Sequence, residues 1–314
     1  MGAGVKDGLK RWYRETAIGH TLIQPVKVAY ETVAWRSLPE RAYLELAFRR
    51  KLGYRLDLET PRTFNEKIQW LKLNDRRPLH TRCADKFAVR SLTASTLGEQ
   101  YLVPLVLHTD DPGEITPGNL PDYPVIIKTT HGSGEVIIVR SKEAVDWKAA
   151  RRNLRSQLRN NYYHRSKEWQ YRDIQPSIVV ERLLLDGRGQ IPSDYKFHCL
   201  NGAVRFVQVD FDRHGSHTRN LYDPEWRLLD CRYLYPNGPD VEPPKQLELM
   251  IALAEKMAGL FPYVRVDLYN LGADVWFGEL TFHPEGGLAP FVPRSWDVDF
   301  GAMLTLDTGE GSSR

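Results

Sequence analysis

The sequence predicts an α+β fold, because β-hairpin patterns and amphipathic helical patterns both recur along the chain. Asn201-Gly202 separates two runs of alternating polarity, 194–200 and 203–210, and Asn-Gly in that position is a strong hairpin signal. Thr63-Phe-Asn-Glu66 is a capping box, the pattern that opens a helix. Paired antiparallel strands and surface helices are therefore both expected.

The other elements follow from their polar and apolar patterns. Phe64, Ile68 and Leu71 form the apolar stripe of the first helix, which Pro78 limits. A second helix is expected from about residue 79 to 94, with an inner side formed by Cys83, Ala84, Phe87 and Ala88. Further predictions are strands at 124–128, 136–140 and 178–184, a polar helix and a basic aromatic loop within 146–172, and a helix at 245–260.

Composition narrows the class of protein. The 314 residues are 42% hydrophobic and 26% charged, which is ordinary for a globular chain that buries a large core. A net charge of +3 is too small to indicate a nucleic-acid partner, and no run of about 18 apolar residues indicates a membrane span. Cys83, Cys199 and Cys231 lack metal-binding or redox spacing, which suggests buried thiols in a reducing, cytoplasmic setting.

A second hairpin is predicted at 263–282. Its two alternating runs flank Gly272-Ala273-Asp274, which indicates a three-residue loop. Strand side chains alternate between faces, so one face of the hairpin should be apolar. That face would consist of Val264, Val266, Leu268, Leu280 and Phe282.

The other face of this hairpin carries the strongest chemical signal in the sequence. Arg265 should lie opposite Thr281, and Asp267 opposite Glu279. Opposed Cβ atoms are about 4.5–5.5 Å apart, so the two carboxylates repel each other unless a cation lies between them. Carboxylate pairs commonly hold Mg²⁺ over nucleotide phosphates. We interpret the pair as a metal site; the alternative is a solvated hairpin face.

A glycine-bearing turn follows Lys128, which ends a predicted buried strand. The turn contains His131, Gly132, Ser133 and Gly134. Small residues let backbone N–H groups approach phosphate oxygens, and a lysine adds a positive charge. Strands on both sides make the turn the expected tip of a β-flap. It is neither a Walker motif nor Gly-x-Gly-x-x-Gly, and Gly-Ser-Gly is common in ordinary loops.

Other charged positions are ordinary when taken singly. Glu181 interrupts an apolar strand, where a charge is costly unless it has a partner or lies at the strand's exit. Asp194 and Lys196 alternate onto one face of the Asn-Gly hairpin. Lys86, next to Asp85, has the pattern of a surface ion pair. The order of these positions along the chain is what is specific.

Five segments in this order carry a family resemblance. They are Arg62-Thr-Phe-Asn-Glu-Lys-Ile-Gln-Trp-Leu-Lys72, Ala84-Asp-Lys-Phe-Ala-Val-Arg90, Lys128-Thr-Thr-His-Gly-Ser-Gly134, Glu168-Trp-Gln-Tyr171 and Asp194-Tyr-Lys-Phe-His-Cys-Leu-Asn-Gly202. From about residue 40 to 305 the chain resembles ATP-grasp enzymes, and more narrowly the TupA-like ATP-grasp family. That family is named for teichuronopeptide synthesis and is found among bacterial surface-polysaccharide genes.

The resemblance implies an ATP-grasp fold, in which two α+β lobes clamp ATP and Mg²⁺ beneath a β-flap. Lys86 and Lys128 would hold the phosphates, and the flap at 131–135 would close over them. The hinge that reads adenine, chiefly through backbone groups, would consist of Glu181, Arg182, Leu183 and Leu184. Expected boundaries are an N-terminal helical extension at 1–60, the first part of the ATP-grasp unit at 61–123, a lid at 124–180, a C-terminal lobe at 181–305 and a tail at 306–314.

The resemblance also assigns the charged face. Asp194 would lie near the ribose and Lys196 near the γ-phosphate, while Asp267 and Glu279 would bind Mg²⁺. Many ATP-grasp enzymes have a third ligand, Asn, two residues after the glutamate; Thr281 stands there in this chain, which puts the coordination of a second metal in doubt. Arg265 would hold the reacting carboxylate or the tetrahedral intermediate, the alternative being an ion pair with Asp267.

The implied reaction is ATP-dependent joining of a carboxylate, such as a uronic acid or other acidic glycan component, to an amine through an acyl phosphate. Two alternatives stay open: a phosphotransferase that phosphorylates a sugar hydroxyl, and an inactive glycan-binding assembly protein. The cations and aromatic residues at 151–172 are compatible with an acidic glycan groove, with nucleic acid or with a solvated helix face, and the low net charge disfavours nucleic acid. Basic, aromatic residues at 1–36 could contact the inner face of the membrane or pack as a helix on the protein.

Overall fold

The computed structural model describes residues 38–132, 136–212 and 216–307. The chain divides into two compact units at the boundary between Leu46 and Ala47, and all elements of the expected site belong to the second. Residues 1–36, Ser133, Gly134 and the tail beyond residue 307 lie outside the described residues, so what the sequence predicts for them stays a prediction.

Helices dominate the first third of the described chain. They are α1 (Glu40–Leu52), α2 (Phe64–Asn74), α3 (Pro78–Ala84) and α4 (Val89–Thr96). The capping box of α2 is present in both directions, between the Thr63 side chain and the Glu66 backbone and between the Glu66 side chain and the Thr63 backbone. The predicted stripe of Phe64, Ile68 and Leu71 is buried, which confirms the start and the inner face of this helix.

The expected single helix after Pro78 is wrong, because the chain leaves the helical conformation at Asp85. The Asp85 carboxylate accepts hydrogen bonds from the backbone N–H groups of Phe87 (2.8 Å) and Ala88 (3.1 Å), and α4 begins after them. An aspartate that bonds nearby N–H groups competes with helix continuation. Phe87 is consequently 37% exposed and stacks on His108 instead of facing the core.

A four-stranded antiparallel sheet follows in the order β1-β4-β2-β3. Its strands are β1 (Leu105–Thr109), β2 (Val125–Thr129), β3 (Val136–Val139) and β4 (Ile178–Arg182). Between β3 and β4 the chain forms α5 (Trp147–Leu158), α6 (Tyr163–Ser166) and a 3₁₀ turn (Trp169–Tyr171). One face of the sheet packs on Leu154 of α5. The opposite face carries Ile126, Lys128, Val136, Ile138 and Glu181.

A five-stranded antiparallel sheet forms the rest of the unit, in the order β10-β9-β5-β6-β7. Its strands are β5 (Asp194–Leu200), β6 (Ala203–Phe211), β7 (Thr218–Tyr222), β9 (Tyr263–Leu271) and β10 (Asp274–Thr281), with a small pairing of β8 (Arg232–Tyr233) and β11 (Phe291–Val292) beside them. The turn at Asn201-Gly202 has φ of 49° and 84°, as the Asn-Gly signal predicts.

The two faces of this sheet differ in character. One packs against α7 (Leu247–Ala258), and all five predicted apolar residues of the 263–282 hairpin belong to that core. The other carries the charged side chains and merges at one end with a second core beneath α2 and α8 (Ser295–Met303). In the described part of the chain, no helix has both the length and the apolar character needed to cross a bilayer.

Candidate functional site

The tip of the acidic hairpin is tighter than its sequence predicts. Leu271 pairs with Asp274, so the loop has two residues, Gly272-Ala273, and not three. Gly272 has a φ of 65°, which glycine adopts without steric cost and which suits a two-residue hairpin loop. The predicted three-residue loop is therefore wrong.

A bulge at Gly278 compensates for the shorter loop. The register changes between Phe277 and Glu279, after which Glu279 pairs with Asp267 as predicted. Without the extra residue, Glu279 would lie opposite Val266 and point to the apolar face. A Cβ at Gly278 would lie 3.0 Å from the backbone oxygen of Asp267, so a glycine fits this bulge closely. The bulge thus brings the two carboxylates to one face.

A guanidinium group lies between these carboxylates. Arg265 donates two hydrogen bonds of 2.7 Å to the carboxylate of Asp267 and one of 3.2 Å to Glu279 Oε1. Thr281 Oγ1 donates to the same Glu279 oxygen at 3.2 Å. The four predicted residues are therefore brought together, with Thr281 acting here as a hydrogen-bond donor. Asp267 is buried, whereas the Glu279 side chain is half exposed.

Charge and burial act in opposite directions on this pair. Burial raises the pKa of Asp267 to about 6, although Arg265 and Lys196 favour its ionised form. Desolvation also opposes ionisation of Glu279, but Arg265 and Lys86 outweigh it and hold the pKa of Glu279 below its ordinary value. Among the described residues, no group of three or more His, Cys, Asp or Glu side chains is arranged to hold a metal. Two oxygen ligands fit Mg²⁺ if phosphates and water complete its shell.

Lys196 of β5 is paired with Asp267 of the neighbouring strand β9 and is almost fully buried. Its ammonium group contacts Asp194 and lies 3.2 Å from Asp210 Oδ2. Asp210 also accepts a 2.5 Å hydrogen bond from Arg219, whose guanidinium lies 2.9 Å from Glu285. Asp194 and Lys196 therefore share a face, as their spacing predicts.

The sequence reasoning did not detect a hydrogen-bond chain that supports Lys196. Gln208 donates to Asp210 at 2.9 Å, and its other amide atom lies 3.2 Å from His198 Nε2. His198 Nδ1 in turn lies 2.8 Å from the Tyr263 hydroxyl. His198 is fully buried, and burial lowers its pKa well below the ordinary range, so the ring is neutral. The sequence did contain one signal for this: His198 is two residues after Lys196 in β5, so the two side chains lie on the same face of the sheet.

Lys128 and Glu181 meet on the polar face of the four-stranded sheet. Lys128 Nζ lies 2.8 Å from one Glu181 oxygen, and Arg90 lies 2.8 Å from the other. Arg90 also donates to the backbone oxygen of Val103 at 2.9 Å. Glu181, which interrupts an apolar strand, therefore has two cationic partners. The sequence predicts that a charge at this position needs a partner, and the structure supplies two.

Lys86 connects the two sheets electrostatically. Its ammonium group donates to the backbone oxygen of Gly132, and its own N–H donates to Thr130 O at 3.2 Å. Burial lowers the pKa of Lys86, whereas the charge of Glu279 raises it and that of Lys128 lowers it further. Side chains from both sheets thus act on one lysine.

His131 and the hinge differ in detail from the expectation. The His131 ring faces the end of α5, with Nε2 3.0 Å from Asn160 O, and so contacts protein carbonyl groups. In the hinge, the backbone N–H groups of Arg182 and Leu183 donate to Pro104 and Pro124, each at 3.0 Å. Leu183 is buried, and Arg182 lies over the Tyr123 ring. Both N–H groups are therefore bonded within the protein.

The polar residues along α2 have a structural role that the sequence does not reveal. Four side chains of this helix donate to backbone oxygens in the segment 286–304. These are Asn65 to Ala289 (3.0 Å), Lys67 to Gly301 (2.8 Å), Gln69 to Gly287 (2.7 Å) and Lys72 to Gly286 (2.7 Å). The helix therefore fixes the loop that follows the acidic hairpin.

A four-stranded and a five-stranded antiparallel sheet, with Lys128 on the first and the carboxylate pair on the second, agree with the ATP-grasp class, for which ATP and Mg²⁺ are the cofactors. The family comparison agrees with this. The family described as TupA-like ATP-grasp matches residues 66–305, and the chain belongs to it. No curated protein sequence matches the chain at a significant level.

Solved structures show only partial similarity. D-alanine–D-alanine ligase from Bacillus anthracis is 17% identical with a TM-score of 0.38, and the match covers 64% of this chain and 57% of that one. The enzyme of the same name from Helicobacter pylori is 12% identical with a TM-score of 0.41, covering 77% and 69%. The ATP-grasp ligase PsnB, solved with Mg and ADP, is 13% identical with a TM-score of 0.37, covering 69% and 57%. The chain thus spans less than two thirds of the first of these.

Proposed function

We propose that this protein is an ATP- and Mg²⁺-dependent ligase that joins a carboxylate to an amine through an acyl phosphate. The acid is a uronic acid or another acidic glycan component, and the process is bacterial surface-polysaccharide biosynthesis in the cytoplasm. Family membership supports the ATP-dependent class. The observation that carries the proposal is the strand register that places Lys196 and Glu279 on either side of Asp267, on one face of the five-stranded sheet.

The nucleotide would lie between the two polar faces. Val136 and Ile138 are 45% and 37% exposed on the face that carries Lys128, and they offer an apolar surface for adenine. Because the N–H groups of Arg182 and Leu183 are already used, we assign Leu184 as the hinge residue that donates to the base. Asp194 would bind the ribose after releasing Lys196.

The charged residues divide the work of phosphoryl transfer. Lys86, Lys128 and Lys196 would neutralise phosphate oxygens, and Asp267 and Glu279 would hold Mg²⁺ by their carboxylate oxygens. Bound Mg²⁺ supplies further neutralisation of the transferring group. Phosphoryl transfer needs mainly positioning and charge compensation from a protein, which these side chains provide without a nucleophile of their own.

The bonds change in two steps. A carboxylate oxygen of the substrate attacks the γ-phosphorus, the bond to the β–γ bridging oxygen breaks, and ADP leaves. The amine nitrogen then attacks the acyl carbon, phosphate leaves with the electron pair of the C–O bond, and the nitrogen loses a proton to solvent. Arg265 would stabilise the oxygen that becomes negative in this second step, because a guanidinium donates two parallel hydrogen bonds.

Mass analysis of products tests this function. The protein is incubated with ATP, Mg²⁺ and a panel of uronic-acid glycans and amino acids, with the Glu279→Gln variant as the control. Condensation with loss of one water between two substrates, absent from the variant, is the expected result. Gain of one phosphoryl group by a sugar would show a kinase instead. If ATP is not consumed with any substrate of the panel, the protein is a glycan-binding protein and the proposal is overturned.

A further inference from the structure

A buried polar cluster borders the carboxylate face where the chain leaves β10. It consists of Gln69, Lys72, Glu168, Gln170 and His283, and we call it the Glu168 cluster. Each of these residues is at most 5% exposed. They come from α2, from the 3₁₀ turn at 169–171 and from the strand exit, so only the tertiary fold brings them together.

The Glu168 carboxylate has few partners for a buried charge. Gln170 Nε2 donates to Glu168 Oε2 at 3.2 Å, and His283 Nδ1 lies 3.7 Å from the same oxygen. Lys72 acts on Glu168 electrostatically, but its ammonium group donates to Gly286 O at 2.7 Å. A buried carboxylate ordinarily accepts several hydrogen bonds, and in the described structure this one accepts fewer.

Several neighbouring polar atoms are unpaired as well. Gln69 Oε1, Gln170 Oε1 and His283 Nδ1 are buried without a hydrogen-bond partner in the described residues. The amide nitrogens of Gln69 and Gln170 both donate, to backbone and to Glu168, so the unpaired atoms of these two residues are acceptors. Trp169 Nε1, a donor of the same turn, is also buried without a partner among the described residues. Native proteins rarely leave buried polar atoms unpaired, so the two amide oxygens are complementary to a group that donates hydrogen bonds.

The cluster lies next to the reacting groups. His283 follows Thr281 by two residues and continues the polar face of β10. Burial raises the pKa of Tyr171, and the charges of both Glu168 and Glu279 raise it further, so this tyrosine lies within electrostatic range of the cluster and of the metal pair. The cluster therefore begins where the strand that carries Glu279 and Thr281 ends.

We propose that the Glu168 cluster binds the ammonium group of the acceptor amine, with Glu168 as its counter-ion. Before the attack on the acyl phosphate, one N–H proton passes to the Glu168 carboxylate, which leaves a neutral amine with a free electron pair. An ammonium group brings three N–H donors and one positive charge, which match the Glu168 carboxylate and the unpaired amide oxygen of Gln170, whose amide nitrogen bonds that carboxylate. A hydroxyl acceptor would bring one donor and no charge. The inference rests on the proposed ligase function and identifies the subsite of its second substrate.

A binding experiment tests the subsite without turnover. Methylammonium chloride and tetramethylammonium chloride are compared by ligand-observed NMR with the parent protein, with Glu168→Gln and with the control Asp173→Asn. Asp173 is an exposed carboxylate five residues along the same segment. Methylammonium should bind the parent and the control, and about tenfold more weakly to Glu168→Gln. Equal binding of tetramethylammonium, which has no N–H donor, would overturn the inference.

A kinetic experiment separates this inference from the proposed function. Acid-dependent scrambling of oxygen in ATP labelled at the β–γ bridge reports acyl-phosphate formation without any amine. Glu168→Gln should scramble label like the parent, while its KM for the amine rises about tenfold or more. An unchanged KM would overturn the subsite but not the ligase function. If none of the acids makes the parent scramble the label, the ligase function is overturned, and the NMR experiment alone then tests the subsite.

A second variant covers failure of Glu168→Gln to fold. Gln170→Met keeps the approximate size of the side chain and removes both the donor to Glu168 and the unpaired acceptor. It should weaken methylammonium binding about threefold to tenfold and leave label scrambling at the parent rate. Parent-like binding by this variant would show the cluster to be a structural polar network.

Discussion

At the scale of single residues, Arg265 supplies the positive charge that the opposed carboxylates of Asp267 and Glu279 require. The sequence placed Asp267 and Glu279 opposite each other and required a cation between them. In the structure that cation is the Arg265 guanidinium, which bonds both groups. The ion pair with Asp267 and a role in the reaction are therefore compatible, because a guanidinium held by two carboxylates is fixed in position before a substrate arrives.

Lys128→Ala should abolish turnover and leave the fold intact. The substitution removes a phosphate-binding charge, so a loss of activity of about a hundredfold or more is expected. Glu181 keeps its bond to Arg90, so the free energy of unfolding should fall by only about 1 kcal/mol.

Steady-state kinetics and urea unfolding check this prediction. Lys142→Ala is the matched control, because Lys142 also forms a 2.8 Å ion pair, with the fully exposed Asp122, and is not among the proposed site residues. The control should retain both activity and stability. Parent-like turnover of Lys128→Ala would remove Lys128 from the phosphate site.

Lys72 should give the protein a pH-dependent stability in the alkaline range. Burial lowers the pKa of Lys72 to about 8, with Glu168 opposing, whereas its ordinary value is 10.5. Between these values the unfolded chain binds more protons than the folded chain, so this residue makes the free energy of unfolding rise with pH from about 8 to about 10.5.

The comparison with Lys72→Met isolates this contribution. From about pH 8 to about pH 10, the parent should gain about 2 kcal/mol relative to the variant, since other titrating groups are common to both. Urea unfolding at the two pH values measures the difference. A difference that does not change with pH would show that Lys72 keeps an ordinary pKa in the folded protein.

At the scale of elements, a single bulge decides which face of β10 the Glu279 carboxylate occupies. Gly278 contributes one residue to the hairpin, and the two-residue loop removes one, so the two departures from the predicted hairpin cancel. The predicted pairs Asp267–Glu279 and Arg265–Thr281 are therefore confirmed although the loop is not. Period-two alternation makes the pairing sensitive to any such shift.

Gly278→Ala should impair activity more than Gly272→Ala. A Cβ at Gly278 meets the Asp267 backbone oxygen at 3.0 Å and must displace Asp267 or Glu279, which should cost about 1–3 kcal/mol in stability and about a hundredfold in turnover. A Cβ at Gly272 meets nothing within 4 Å and costs only the strain of a φ of 65°, about 1–2 kcal/mol.

Activity measured beside thermal unfolding distinguishes the two variants. Gly272→Ala should lose stability and keep the parent's turnover, which makes it the matched control within the same hairpin. Equal turnover losses in both variants would mean that the bulge has no specific part in placing Glu279.

At the scale of the whole molecule, the proposed site requires both sheets to contribute to one ligand. Lys86 and Lys128 come from residues before or within the four-stranded sheet, and Asp267 and Glu279 come from the five-stranded sheet. A ligand that binds only the folded protein raises its unfolding free energy by about 2.7 kcal/mol at one hundred times its Kd. Nucleotide binding should therefore stabilise the unit as a whole.

A non-hydrolysable ATP analogue tests this coupling. With Mg²⁺ the analogue should raise the Tm of the parent, and chelation of Mg²⁺ should remove most of the shift. Glu279→Gln should lose the Mg²⁺-dependent part and Lys86→Ala most of the total, while both variants unfold near the parent's Tm without ligand. A full Tm shift in Glu279→Gln would place the metal elsewhere.

Local patterns account for what the sequence predicted well. The capping box at Thr63, the Asn201-Gly202 turn and the two faces of the 263–282 hairpin depend on neighbours within a few residues or on strand alternation. The same reasoning missed the break at Asp85. An aspartate occurs both inside helices and at their starts, and the sequence does not show whether its carboxylate will bond nearby N–H groups and end the helix.

The sequence by itself determined the family, the strands that carry charge and the residues that share each face, because period-two and capping patterns are local. The tertiary structure decided which charges meet. Arg90 with Glu181, His198 with Gln208 and Tyr263, and the Glu168 cluster join residues that no spacing relates. Their pairing follows from the burial of polar groups, which must find partners wherever the chain brings one close, and that information is not present in any single segment.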